Sequence, residues 1–150
     1  MYYNVREIIE YAIKIEKESY AFYNNAEKKV NDNEVKKLLI LLANEEINHQ
    51  NNLKVLIDEN RVTKDELNKK MDLDNTLLKK IVGTSEISSN ADLLEILTIA
   101  LEREKNTENI YAMLSTLSNI DEDIIDIFSN LKLQENSHVK KIQSRINKLK

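Results

Sequence analysis

Both histidines of the 150-residue chain follow a glutamate three residues earlier, as Glu46-Ile-Asn-His49 and Glu135-Asn-Ser-His138. Three residues is nearly one helical turn, so on a helix each pair shares a face, about 4.5 Å apart along the axis. A carboxylate and an imidazole on one face are oxygen and nitrogen donors that suit iron or manganese, with zinc as an adventitious occupant. The chain has no cysteine, which excludes disulfides, thiolate zinc sites, iron–sulfur clusters and cysteine nucleophiles. Any metal must sit on oxygen and imidazole.

Four long apolar stripes position these residues, each with alternating spacings of four and three and each bounded by capping residues. The first, from about Asn4 to Val30, carries Val5, Ile9, Ala12, Glu16, Ser19, Tyr23 and Ala26 inward. The second, capped by Asn31 or Asp32 and running to about Asn60, carries Val35, Leu39, Leu42, Glu46, His49, Leu53 and Leu56. The third, from near Asn90 to Ser115, carries Leu93, Leu97, Ala100, Glu104, Thr107, Tyr111 and Leu114 and so repeats the first. The fourth, from about Ser118 onward, carries Ile124, Phe128, Leu131, Glu135, His138 and Ile142 and repeats the second. The offset is 88 residues for Glu16/Glu104 and Tyr23/Tyr111 and 89 for Glu46/Glu135 and His49/His138. The chain reads as a duplicated helix pair.

Proline is absent and the one glycine is Gly83, so the turns of β-hairpins and the Gly-rich loops of nucleotide-binding folds have no residues to build them. An all-α protein without any β-sheet is expected, as one domain over residues 1–150. Tight turns near Asn31 and Asn119 make two antiparallel pairs, and Asp58 to Ser89 is a long crossover. That crossover holds a short helix capped at Thr63 and a second short apolar piece, Leu77 to Val82. A four-helix bundle with one long crossover is the ferritin-like arrangement. Net charge is −4 with Lys and Glu mixed along the chain, so no basic face for nucleic acid stands out. The longest apolar run, Leu38 to Ala43, is too short for a bilayer, and Met1 to Glu10 lacks the pattern of a signal peptide. No membrane association and a cytoplasmic location are expected.

Glu16 and Glu46 lie about fifteen residues on either side of the first turn, and Glu104 and Glu135 bracket the second in the same way, so at 1.5 Å per residue each pair is level. Four carboxylates and two imidazoles then converge inside an apolar bundle, with no lysine or arginine in the stripes near them. Buried carboxylates cost several kcal/mol apiece unless paired, protonated or metal-bound, and two divalent cations balance four of them. The alternatives are that the six satisfy one another without metal, or that the stripes face water. Tyr23 and Tyr111 each lie two turns beyond a stripe glutamate. Most tyrosines in such places are core aromatics, and the other reading is a hydrogen bond to a metal-binding carboxylate. Glu45, Gln134 and Glu108 flank the stripes and read as solvent-exposed, with Glu108, one turn from Glu104, able to swing inward.

The segments Ala12-Ile-Lys-Ile-Glu16-Lys-Glu-Ser-Tyr-Ala-Phe-Tyr23, Glu45-Glu46-Ile-Asn-His49, Ala100-Leu-Glu-Arg-Glu104 and Glu135-Asn-Ser-His138 resemble the rubrerythrin branch of the ferritin-like di-iron proteins over nearly the whole chain. The resemblance implies two iron ions, with Glu46 and Glu135 bridging them, His49 and His138 each facing one, and Glu16 and Glu104 as terminal carboxylates. It implies reduction of hydrogen peroxide, or reaction with oxygen, in a homodimer. Two departures qualify it. Rubrerythrins proper carry a cysteine-ligated iron domain that feeds electrons to the site, so this cysteine-free chain needs an external electron donor. They also have a further glutamate one turn along the third helix, where this chain has Thr107. The competing functions are iron oxidation or metal storage on the same six ligands, and a structural bundle that binds a protein partner.

Overall fold

The computed structural model describes residues 1–74 and 86–150. The expected apolar piece Leu77 to Val82 lies outside the described residues. Four long helices, α1 (Val5–Lys29), α2 (Asn33–Asp58), α4 (Leu93–Leu114) and α5 (Glu122–Leu149), carry the fold, with a short α3 (Lys64–Leu67) between the halves. Helix α1 packs along α2 and α4 along α5, and the pairs meet through α2 against α5 and α1 against α4.

Each helix starts where a side chain can take up a backbone N–H that has no partner within the helix. Asn4 and Glu7 form a reciprocal capping box on α1. Asp32 caps α2, Thr63 caps α3 and Asp92 caps α4. The fourth long helix begins four residues later than its stripe predicts. Asn119 takes a left-handed conformation (φ 61°), which asparagine tolerates better than most residues, and Asp121 supplies the cap. The connector is tied to this turn: Lys69 Nζ donates to the Asn119 carbonyl at 2.8 Å, and Glu66 accepts from the Asp121 amide at 2.5 Å.

The expectation of no sheet at all is corrected at one end of the bundle. Strands β1 (Tyr2–Asn4) and β2 (Lys70–Asp72) form a two-stranded antiparallel ribbon, Tyr3 opposite Met71. No hairpin turn is needed because the strands come from remote parts of the chain. Each flanks a helix end, where backbone groups would otherwise lack partners. The Val5 amide, one of the unpaired N–H groups of α1, likewise donates to the Lys69 carbonyl at 3.0 Å.

The core is divided in two. One apolar cluster gathers Val5, Ile9, Ala12, Leu53, Leu56, Tyr111, Leu114, Ile124 and Phe128. The other gathers Phe22, Tyr23, Ala26, Leu39, Leu42, Leu97, Ala100 and Ile142. Between them each of the four long helices places polar residues on its buried face: Glu16 and Ser19, Glu46 and His49, Glu104 and Thr107, Glu135 and His138.

Candidate metal centre

All six sequence-predicted site residues are brought together in this polar layer, each 2% exposed or less. Their donor atoms form two groups, Glu16, Glu46, His49 and Glu135 in one and Glu46, Glu104, Glu135 and His138 in the other, with the atoms of each group within 4.8 Å of one another. Glu46 and Glu135 belong to both groups. The two imidazoles stack, ring centroids 5.7 Å apart and 15° from parallel.

Each histidine turns Nδ1 inward and Nε2 outward. His49 Nδ1 lies 3.2 Å from Glu16 and 3.1 Å from Glu135, and His138 Nδ1 lies 3.5 Å from Glu46, Glu104 and Glu135. Outward, His49 Nε2 donates to Gln134 Oε1 at 2.5 Å and His138 Nε2 donates to Glu45 Oε2. Gln134 is exposed as expected, while Glu45 is half-buried, and both do more than face water. They sit one residue off the stripe, yet each reaches the histidine of the opposite helix pair. Their equal spacing from Glu46 and Glu135 was a signal available in the repeat.

The tyrosines cross in the same way. Tyr23 of α1 donates to Glu104 of α4, and Tyr111 of α4 donates to Glu16 Oε1 of α1 at 2.5 Å. Both are core aromatics and both hold a carboxylate of the cluster. Glu108 is not swung inward: it accepts from Asn136 at 2.8 Å, and the Thr107 hydroxyl donates to the Arg103 carbonyl. Arg103 was missed because it lies outside the stripes. Its guanidinium stacks 5.1 Å over the Phe22 ring and reaches Ser19 at 3.4 Å, a cation at the edge of the carboxylate layer.

Burial and the charge of Glu135, with Glu16 adding to it, push the Glu46 carboxyl well above the usual carboxylate range. Burial also opposes an ionised Glu16, but Glu46, His49 and Tyr111 hold its pKa below the ordinary value. Burial opposes a charged His49, yet Glu135 and Glu16 outweigh it and raise the imidazole from 6.5 to about 10. Against the same burial, Glu135 and Glu45 raise His138 as well. Burial lifts both tyrosines, with Glu46 and Glu135 adding to Tyr23 and Glu16 to Tyr111, so each remains a donor.

Protons alone leave the cluster under-satisfied. Both oxygens of Glu46 and of Glu135, Glu104 Oε2 and His138 Nδ1 are buried without a hydrogen-bond partner. Such groups cost about 1–3 kcal/mol each and more when charged. The residues that carry them all belong to one or both donor groups, where divalent cations would satisfy them. Hard oxygens with one imidazole per position suit iron or manganese. The rubrerythrin family model matches residues 7–146. The chain belongs to the rubrerythrin family. Neither a curated protein nor a solved structure matches it. As a rubrerythrin-family chain it is a ferritin-like helical bundle whose buried Glu/His cluster has the composition of a metal site. No described helix is long and apolar enough to cross a membrane.

Proposed function

We propose that this protein is a non-haem di-iron redox protein that reduces hydrogen peroxide, or oxygen, with electrons from a separate donor. The observation that carries the proposal is the pair of buried donor groups that share Glu46 and Glu135. In this reading Glu46 and Glu135 would serve both metal positions, Glu16 and His49 would help hold one ion, and Glu104 and His138 would help hold the other. Two iron ions, if held there, would supply two one-electron changes, matching H₂O₂ + 2e⁻ + 2H⁺ → 2H₂O.

The chain's residues supply the rest. Tyr23 and Tyr111 hold the terminal carboxylates Glu104 and Glu16 across the bundle, which fixes where their remaining oxygens point. Gln134 and Glu45 accept from Nε2 of the two histidines and so leave each Nδ1 as the inward donor. The apolar clusters on either side exclude bulk water, which strengthens every charge interaction between them. With no cysteine in these 150 residues, the electrons come from another protein or a small reductant.

A second reading, iron oxidation or metal binding without sustained peroxide turnover, is favoured by one observation. Position 107 offers a hydroxyl engaged with a backbone carbonyl, and Glu108 is engaged with Asn136, so neither gives the cluster a seventh donor. Stopped-flow oxidation of the ferrous-loaded protein by peroxide and by oxygen tests both. Peroxide oxidation much faster than that of free ferrous iron is expected. A rate equal to that of free ferrous iron overturns the peroxidase reading and leaves the second.

A further inference from the structure

Around the cluster, four pairs of positions carry the same residue in both halves of the chain: Glu16 and Glu104, Tyr23 and Tyr111, Glu46 and Glu135, His49 and His138. A fifth pair, Glu45 and Gln134, has the same 89-residue offset as the histidines and the same geometric role. Each crosses to the other half and accepts from the outer nitrogen of a histidine. They differ by one charge. An imidazole that donates to a carboxylate gains electron density and becomes a stronger donor at its inner nitrogen than one that donates to an amide. Partners of this kind change metal affinity roughly 10–100-fold.

We propose that Glu45 makes the two metal positions unequal, so that the position formed with His138 and Glu104 fills first and holds its cation more tightly than the one formed with His49 and Glu16. The inference rests on the metal-binding reading above. Arg103 is a further charged departure from the repeat, standing where the first half has Ile15. It is common to every variant below, so its field drops out of the comparison. Glu45 and Gln134 both line a surface pocket of about 270 Å³ with Asn48, Ser137 and Lys141, and the Glu45 side chain is 32% exposed. Exchanging carboxylate for amide there keeps an accepting oxygen and buries no new apolar or polar group.

The test titrates the metal-stripped full chain with cobalt(II), following its visible absorption, and resolves the two stepwise constants. Sharing Glu46 and Glu135 separates the steps even for identical positions, so the informative quantity is how the separation changes between variants. Glu45→Gln should narrow it on the order of 10–100-fold by weakening the first step, and Gln134→Glu should narrow it by tightening the second. The double exchange should restore the separation with the order inverted, so that His49→Ala, instead of His138→Ala, removes the tight step. The same separation in the native chain and both single variants overturns the inference while the metal site stands. Cobalt uptake that Glu46→Ala leaves untouched overturns the metal-binding reading itself, and this inference with it.

Discussion

Raising the pH of the metal-stripped protein is a direct probe of the cluster, because its protons are held by the fold. His49 has a folded-state pKa of about 10 against 6.5 for the free side chain. A group raised in this way contributes stability that is fully present below 6.5 and is lost as pH rises through 10. The slope is about 1.4 kcal/mol per pH unit for one proton. Between pH 6.5 and pH 9 the His49 contribution alone falls by about 3 kcal/mol. His138 and Glu46 are shifted in the same direction and steepen the fall, whereas Glu16, shifted down, acts only at acid pH. Urea denaturation in the presence of a chelator at pH 6.5, 7.5 and 9 measures the effect. The metal-loaded protein should show no such fall, since bound cations displace these protons and gain affinity as pH rises. Metal-stripped stability that stays level or increases over this range would refute the reasoning.

Glu46→Ala should lower metal stoichiometry at both positions, because its carboxylate belongs to both donor groups, while His49→Ala should lower mainly one; metal analysis after desalting distinguishes them. Tyr111→Phe leaves Glu16 Oε1 without its donor and should cost the metal-stripped protein about 1–3 kcal/mol in urea unfolding. Phe128→Ala, at a position 1% exposed in the first apolar cluster, should cost about 3–5 kcal/mol and lower the melting temperature of stripped and loaded protein alike. Thr107→Glu places a carboxylate on the buried face beside Glu104 and should raise the steady-state rate of peroxide reduction with an added donor; an unchanged rate would show that a missing carboxylate does not limit turnover.

The long helices and the six convergent residues were legible because they repeat at helical spacing on apolar stripes, and because two short turns fix their heights. What escaped lies between stripes or between halves. Glu45, Gln134 and Arg103 sit beside the stripe, where exposure is the ordinary expectation. Only the packing of α2 against α5 brings Glu45 to His138 and Gln134 to His49. The tyrosine bonds were legible in kind but not in partner, since stripe spacing along one helix says nothing about which facing helix its hydroxyl meets. The β1–β2 ribbon has three residues a side, too few to show alternation, and its formation depends on where the connector passes.

The polar layer also sets the register of the bundle. In a bundle with uniformly apolar stripes, one helix pair can slide past the other by a turn, about 5.4 Å, with one leucine taking the place of another. The long connector between the pairs does little to prevent this, because loop-closure entropy changes slowly with length. Here such a slide would push Glu16 or Glu104 into an apolar cluster and draw the tyrosine hydroxyls off their carboxylates, at a cost of several kcal/mol for each stranded charge. The residues that would hold cations thus act first as an alignment key for the fold.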